Sequence, residues 1–113
     1  MKYLLIIGHD DNFGPSQSLI SRIMDWNEEM SERKILLDSN PLKPWIEAKT
    51  IRVRNGKPEV LPGSFSDSTE KISAYALVSC KSESEAISIA CAHPMAMEAV
   101  IEVRPIWEDI AAM

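Results

Sequence analysis

Cysteine is scarce: 113 residues contain two, Cys80 and Cys91, and no C-x-x-C pair. That excludes a disulfide framework and a zinc site built on paired cysteines. Aromatic residues make up 6% and glycines number four. No glycine-rich phosphate loop, G-x-S-x-G nucleophile elbow or H-E-x-x-H helix is present, so neither a metal nor another cofactor is expected. No apolar run approaches the roughly 20 residues of a membrane span, so no membrane partner is expected. Positive charge is also short, with 12 Lys+Arg against 17 Asp+Glu and a formal net charge of −5. A general nucleic-acid binder needs the opposite balance to neutralise phosphates. The opening Met1-Lys2-Tyr3-Leu4-Leu5-Ile6-Ile7 has the charged start of a signal peptide, but its apolar run ends at Ile7 and His9-Asp10-Asp11 follow. A signal h-region takes about 7–15 apolar residues and then a small-residue cleavage site, so the segment reads as a buried strand and the protein as cytoplasmic.

What is there fits one domain spanning residues 1–113. Tyr3–Ile7 is a continuous apolar strand, suited to a central position. Gly14-Pro15-Ser16 opens an amphipathic helix in which Leu19, Ile20, Ile23, Met24 and Met30 recur at three-to-four spacing, ending near Arg33. Ile35-Leu36-Leu37 reads as a second strand, closed by a turn at Asp38-Ser39-Asn40-Pro41. Asn55-Gly56 between residues 48–54 and 57–61 predicts a type I′ hairpin with positive φ at both positions, and Arg52, Arg54 and Lys57 suit an exposed edge. A loop over residues 62–69 leads into a strand from Ile72 to Cys80. Ser82-x-x-Glu85 is a capping box for a second helix ending near His93-Pro94, inside which Cys91 reads as a small hydrophobe. Residues 99–104 form the last strand. Without the hairpin the order is βαββαβ, the ferredoxin-like α+β unit. Two helices cover one face of such a sheet, so the other face is expected to pair with a second copy in a homodimer.

Strand directions bring His9, Asp10, Asp11, Asp67 and His93 to one end, with the start of the first helix. The chain's two histidines meet there, and imidazole titrates near working pH. His93 is therefore the candidate proton shuttle, with Asp67 or His9 orienting it. Structural roles compete at each position: His93 can bond the last carbonyls of its helix, His9 can be a loop residue, and Asp67 can form an Asx turn. Trp26, Trp45, Trp107 and the methionines read as packing or interface residues.

The run Pro62-Gly63-Ser64-Phe65-Ser66-Asp67-Ser68-Thr69-Glu70-Lys71-Ile72-Ser73-Ala74-Tyr75 resembles the D-G-P-F-A-E-T-K-E-x-L-G-G-Y motif of the DGPF branch of the YCII-related superfamily. Thr50–Lys57 is similar to the T-x-R-V-R-D-G-R hairpin that precedes that motif, and Ile101–Ile106 to the closing V-E-V-R-P-V strand. Gly63, Phe65, Glu70 and Tyr75 stand as in the motif, Asp67 replaces its Glu and Ser68 its Thr, while Pro62, Ser64 and Thr69 depart from it. The resemblance implies a dimeric α/β barrel joined through the sheets, with Phe65, Ser68 and Tyr75 as substrate contacts. Related proteins carry a His-Asp pair suspected of acid/base chemistry, and one dechlorinates a hydroxyquinone. His93 stands where they have Asp, so that pair is not intact and the activity is not carried over. Two functions follow as expectations. One is a cofactor-independent lyase, isomerase or dehydrochlorinase acting on a small organic molecule through His93, Asp67 and His9. The other is a non-catalytic dimeric module binding a small ligand or a protein.

Overall fold

The apolar run near the start forms the centre of a sheet. The structure, a computed structural model, describes residues 1–112. In chain order the elements are β1 (Lys2–His9), α1 (Gln17–Glu32), β2 (Leu36–Pro41), β3 (Lys49–Arg54), β4 (Lys57–Pro62), β5 (Lys71–Ser79), α2 (Glu83–Cys91), α3 (Pro94–Glu98) and β6 (Val100–Pro105). Four strands form an antiparallel sheet in the order β2-β5-β1-β6, and β3 and β4 form a separate two-stranded sheet. The four-stranded order is compatible with the ferredoxin-like arrangement, and the hairpin is inserted between β2 and β5.

Side chains alternate across each strand. Tyr3, Leu5 and Ile7 of β1 and Ala76 and Val78 of β5 are buried together with Leu19, Trp26 and Met30 of α1 and Ala86, Ile89 and Ala90 of α2. Leu4, Ile6 and Leu77 alternate with them and fall on the face away from the helices, where they are half-buried.

Local signals in the sequence explain the helix ends. Ser82 accepts the Glu85 N–H at 3.2 Å, so the expected cap of the second helix forms, and Ser16 caps the first by accepting the Leu19 N–H at 3.1 Å. The first helix closes in a Schellman turn: the Ile35 N–H bonds Met30 O at 2.9 Å and the Lys34 N–H bonds Ser31 O at 3.0 Å. The turn needs a left-handed residue, and Lys34 takes φ 59° where glycine is usual. Asn55 and Gly56 have φ 54° and 74°, as the expected hairpin turn requires.

Three expectations are corrected. Asp38-Ser39-Asn40-Pro41 is not a turn: β2 runs through it, paired with β5 from Leu77 to Ala74. The edge ladder outweighs the local turn preference of Asp, Ser and Asn. The chain does not go straight from α2 into a strand, because Pro94 occupies the first turn of the short helix α3. Cys91 lies on the exposed side of α2, whereas Cys80 is buried, which raises its thiol pKa.

The sheet slips register where Gly8 meets Ile72, leaving Ser73 as the extra residue of a bulge on β5. A Cβ on Gly8 would lie 2.9 Å from the Lys71 carbonyl oxygen, which is backbone and cannot swing away. Gly8→Ala is therefore expected to destabilise the fold by about 1–3 kcal/mol in urea titration. An unchanged midpoint would show that the bulge can shift at no cost.

Candidate functional site

The first helix does not lie flush on the sheet along its whole length. Between its N-terminal half and the ends of β1, β2 and β5 is a cavity of about 450 Å³. Its helix wall is Leu19, Ile20, Ile23, Met24 and Asn27, and Phe13 and Pro15 close the entry to the helix. Ser39, Asn40 and Pro41 border it from the edge strand, and His9 and His93 both line it. An apolar hollow of this size with a few polar groups has the composition of a small-molecule pocket.

The two imidazoles both leave Nε2 free, but in opposite protonation states. His93 is only 3% exposed, and it caps α3 by accepting the Met95 N–H on Nδ1 at 3.0 Å. A ring that accepts on Nδ1 while neutral carries its proton on Nε2, so the free nitrogen is a donor. The ring packs in an edge-to-face pair with Trp26, centroids 4.6 Å apart, and Trp26 donates its indole N–H to Ile89 O at 3.2 Å. Burial lowers the His93 pKa from 6.5 to about 4. At neutral pH it is therefore an uncharged, fixed hydrogen-bond donor rather than a group poised to trade protons.

His9 is held the other way. Its Nδ1 lies 2.9 Å from the Asp10 carbonyl, which can only accept, so Nδ1 donates and, in the neutral ring, Nε2 keeps a lone pair. The ring stacks on Phe13 at 4.6 Å between centroids. Asp10 itself is a turn residue whose carboxylate accepts the Asn12 N–H at 3.0 Å.

The 62–69 loop joins the expected end of the sheet, since Lys71 pairs with His9. Its candidate side chains nevertheless stay out of the cavity. Asp67 and Ser68 are exposed, and Phe65 is 79% exposed. No hydrogen bond links Asp67 to His93 among the described residues, and His93 Nδ1 is committed to Met95. The cause is the way the loop is fastened. Gly63, at φ 88°, donates to Ala48 O at 2.7 Å and accepts the Thr50 hydroxyl at 2.8 Å, tying the loop to the hairpin base. Lys71 then donates to Ser66 O at 2.6 Å and lies over the Trp45 ring at 5.1 Å. Ser68 turns inward on its own loop, accepting the Glu70 N–H at 3.2 Å.

Tyr75 borders the cavity, but its hydroxyl is engaged: it donates to Asp38 at 2.8 Å and accepts from Asn40 at 2.8 Å. Sequence reasoning missed these two partners because it placed a turn there. Asp and Asn two apart, opposite a tyrosine on the neighbouring strand, was the signal that a β reading of residues 38–41 would have exposed.

A sheet of this order with two histidines in one helix–sheet cavity defines an α+β protein with a candidate small-molecule site. The model of the YCII-related domain matches residues 1–109, and the chain belongs to that family. Comparison with curated proteins finds no match. Among the described residues no helix is long and apolar enough to cross a membrane.

Proposed function

We propose that the chain binds a small, largely apolar organic molecule in the cavity under α1, and that the two histidines act on it as a base and a donor. The observation that carries this reading is that two histidines with complementary free nitrogens, His9 with a lone pair on Nε2 in its neutral ring and His93 with a proton on Nε2, both line one apolar hollow. The roles expected from the sequence change accordingly. His93 holds a substrate oxygen by a hydrogen bond that strengthens as negative charge develops. His9 removes a proton from the neighbouring carbon, the step shared by lyases, isomerases and dehydrochlorinases that need no cofactor. Asp67 orients neither ring, and Phe65 and Ser68 contribute only if the loop moves. The working unit is a homodimer joined through the sheet faces as an α/β barrel, because Leu4, Ile6 and Leu77 form a half-buried apolar strip that no helix among the described residues covers.

The test is a thermal-shift screen of small aromatic and halogenated compounds, since a native-state ligand raises apparent stability. Compounds that stabilise the protein are then incubated in D₂O and followed by proton NMR. Met24→Trp, which fills the hollow, is expected to abolish the stabilisation. His9→Ala is expected to keep it but to stop exchange of the substrate proton. A ligand that stabilises Met24→Trp as well as the native chain would place binding elsewhere. Binding without proton exchange for any hit would favour the non-catalytic reading, in which His93 serves to cap α3 and pack on Trp26.

A further inference from the structure

The hairpin of β3 and β4 is amphipathic and unsupported. Its register puts Ile51 opposite Val60 and Val53 opposite Pro58 on one face, and Arg52 opposite Glu59 and Arg54 opposite Lys57 on the other. The apolar face is bare: Ile51, Val53 and Val60 are 65%, 57% and 59% exposed. The hairpin is fastened at its base, through Ala48, Thr50 and Gly63. Six residues per strand then carry it about 20 Å outward. The radius of gyration is accordingly 16.1 Å, whereas a compact domain of this length has about 13 Å. A lone two-stranded hairpin is marginal in water and needs a further surface to rest on.

Charge indicates what that surface is. Residues 49–62 hold four basic side chains, Lys49, Arg52, Arg54 and Lys57, against Glu59, a net of +3. The other residues hold 8 basic and 16 acidic side chains, a net of −8. The arm is therefore a basic projection on an acidic body, with an apolar face that its own body leaves uncovered. We propose that this hairpin is an exchange arm that lays Ile51, Val53 and Val60 on the body of a second copy, each subunit giving one arm and receiving one. A two-fold pairing closes both arms at once and leaves neither apolar face in water. This rests on the homodimer proposed above but is independent of which sheet face the two bodies share.

The test combines sedimentation velocity with hydrogen exchange over a dilution series, using the full chain. In the native protein, amides 50–61 are expected to be protected in the dimer and to exchange freely in the monomer. Replacing Ile51, Val53 and Val60 together by serine is expected to weaken dimerisation by about tenfold or more. These side chains are exposed in the single chain, so circular dichroism should show the subunit fold unchanged. Ile6→Arg probes the sheet face separately. If the serine variant dimerises like the native chain while Ile6→Arg does not, the arm proposal is overturned and sheet pairing stands. The converse result upholds the arm and overturns the sheet reading. A native chain that stays monomeric overturns both. Arm amides protected equally at every dilution, or protected only after a duplex nucleic acid is added, would also overturn the proposal.

Discussion

Replacing Trp26 by alanine should lower the unfolding free energy by about 3–5 kcal/mol, the range for deleting a large buried aromatic. Trp26 is buried and joins three elements: it sits on α1, donates to Ile89 O of α2 at 3.2 Å, and packs against the His93 ring ahead of α3. The truncated side chain would leave a hole beside the His93 ring. Trp26→Phe keeps most of the ring and loses the N–H donor, so its cost should be nearer the roughly 1 kcal/mol of a single hydrogen bond. Urea unfolding followed by circular dichroism measures both. A Trp26→Ala loss no larger than that of Trp26→Phe would mean that the surroundings collapse into the space, and that Trp26 does not brace the site. A second readout follows from the same contact. With the indole gone, water reaches His93, and its NMR titration should move up from about 4 toward the ordinary 6.5.

The course of the chain through the sheet was legible because its signals are local and mutually consistent. An apolar run too short for a signal peptide became a central strand, Gly14-Pro15-Ser16 and the Ser82 capping box marked the helix starts, and Asn55-Gly56 set the hairpin. Strand direction alone brought His9 and His93 to one end, and they line one cavity. Residues 38–41 were misread because the pairing that makes them a strand is with β5, more than thirty residues away. The same non-local fact hid the Asp38 and Asn40 contacts to Tyr75. Asp67 misled for a related reason. Knowing which end a loop occupies does not say which way it leans, and Gly63, Thr50 and Lys71 lean this one toward Trp45. The role of His93 was beyond any pattern reading. A histidine before a proline can close the preceding helix or open the next one, and only the position of Met95 N–H decides between them.

The His93 assignment has a measurable consequence for stability against pH. The folded ring has its pKa lowered from 6.5 to about 4 by burial, so between these values the unfolded chain binds a proton that the folded chain refuses. Stability is therefore full above pH 6.5 and is lost as the pH falls toward 4, the sign expected when a buried neutral base resists charging. From pH 7 to pH 5 the loss from this group should be about 2 kcal/mol, read as a fall in the urea midpoint. Carboxylates begin to titrate near the bottom of that window, so a control is needed. His93→Asn supplies it, because an asparagine oxygen can take the Met95 N–H that Nδ1 now accepts, and asparagine is a good N-cap. That variant should begin less stable at pH 7, having lost its packing on Trp26, but should show a flatter pH dependence down to 5. Equal slopes in the two proteins would mean that His93 titrates normally in the folded state and is reached by water. The fixed-donor role would then fail, and His93 would return to being a candidate proton carrier.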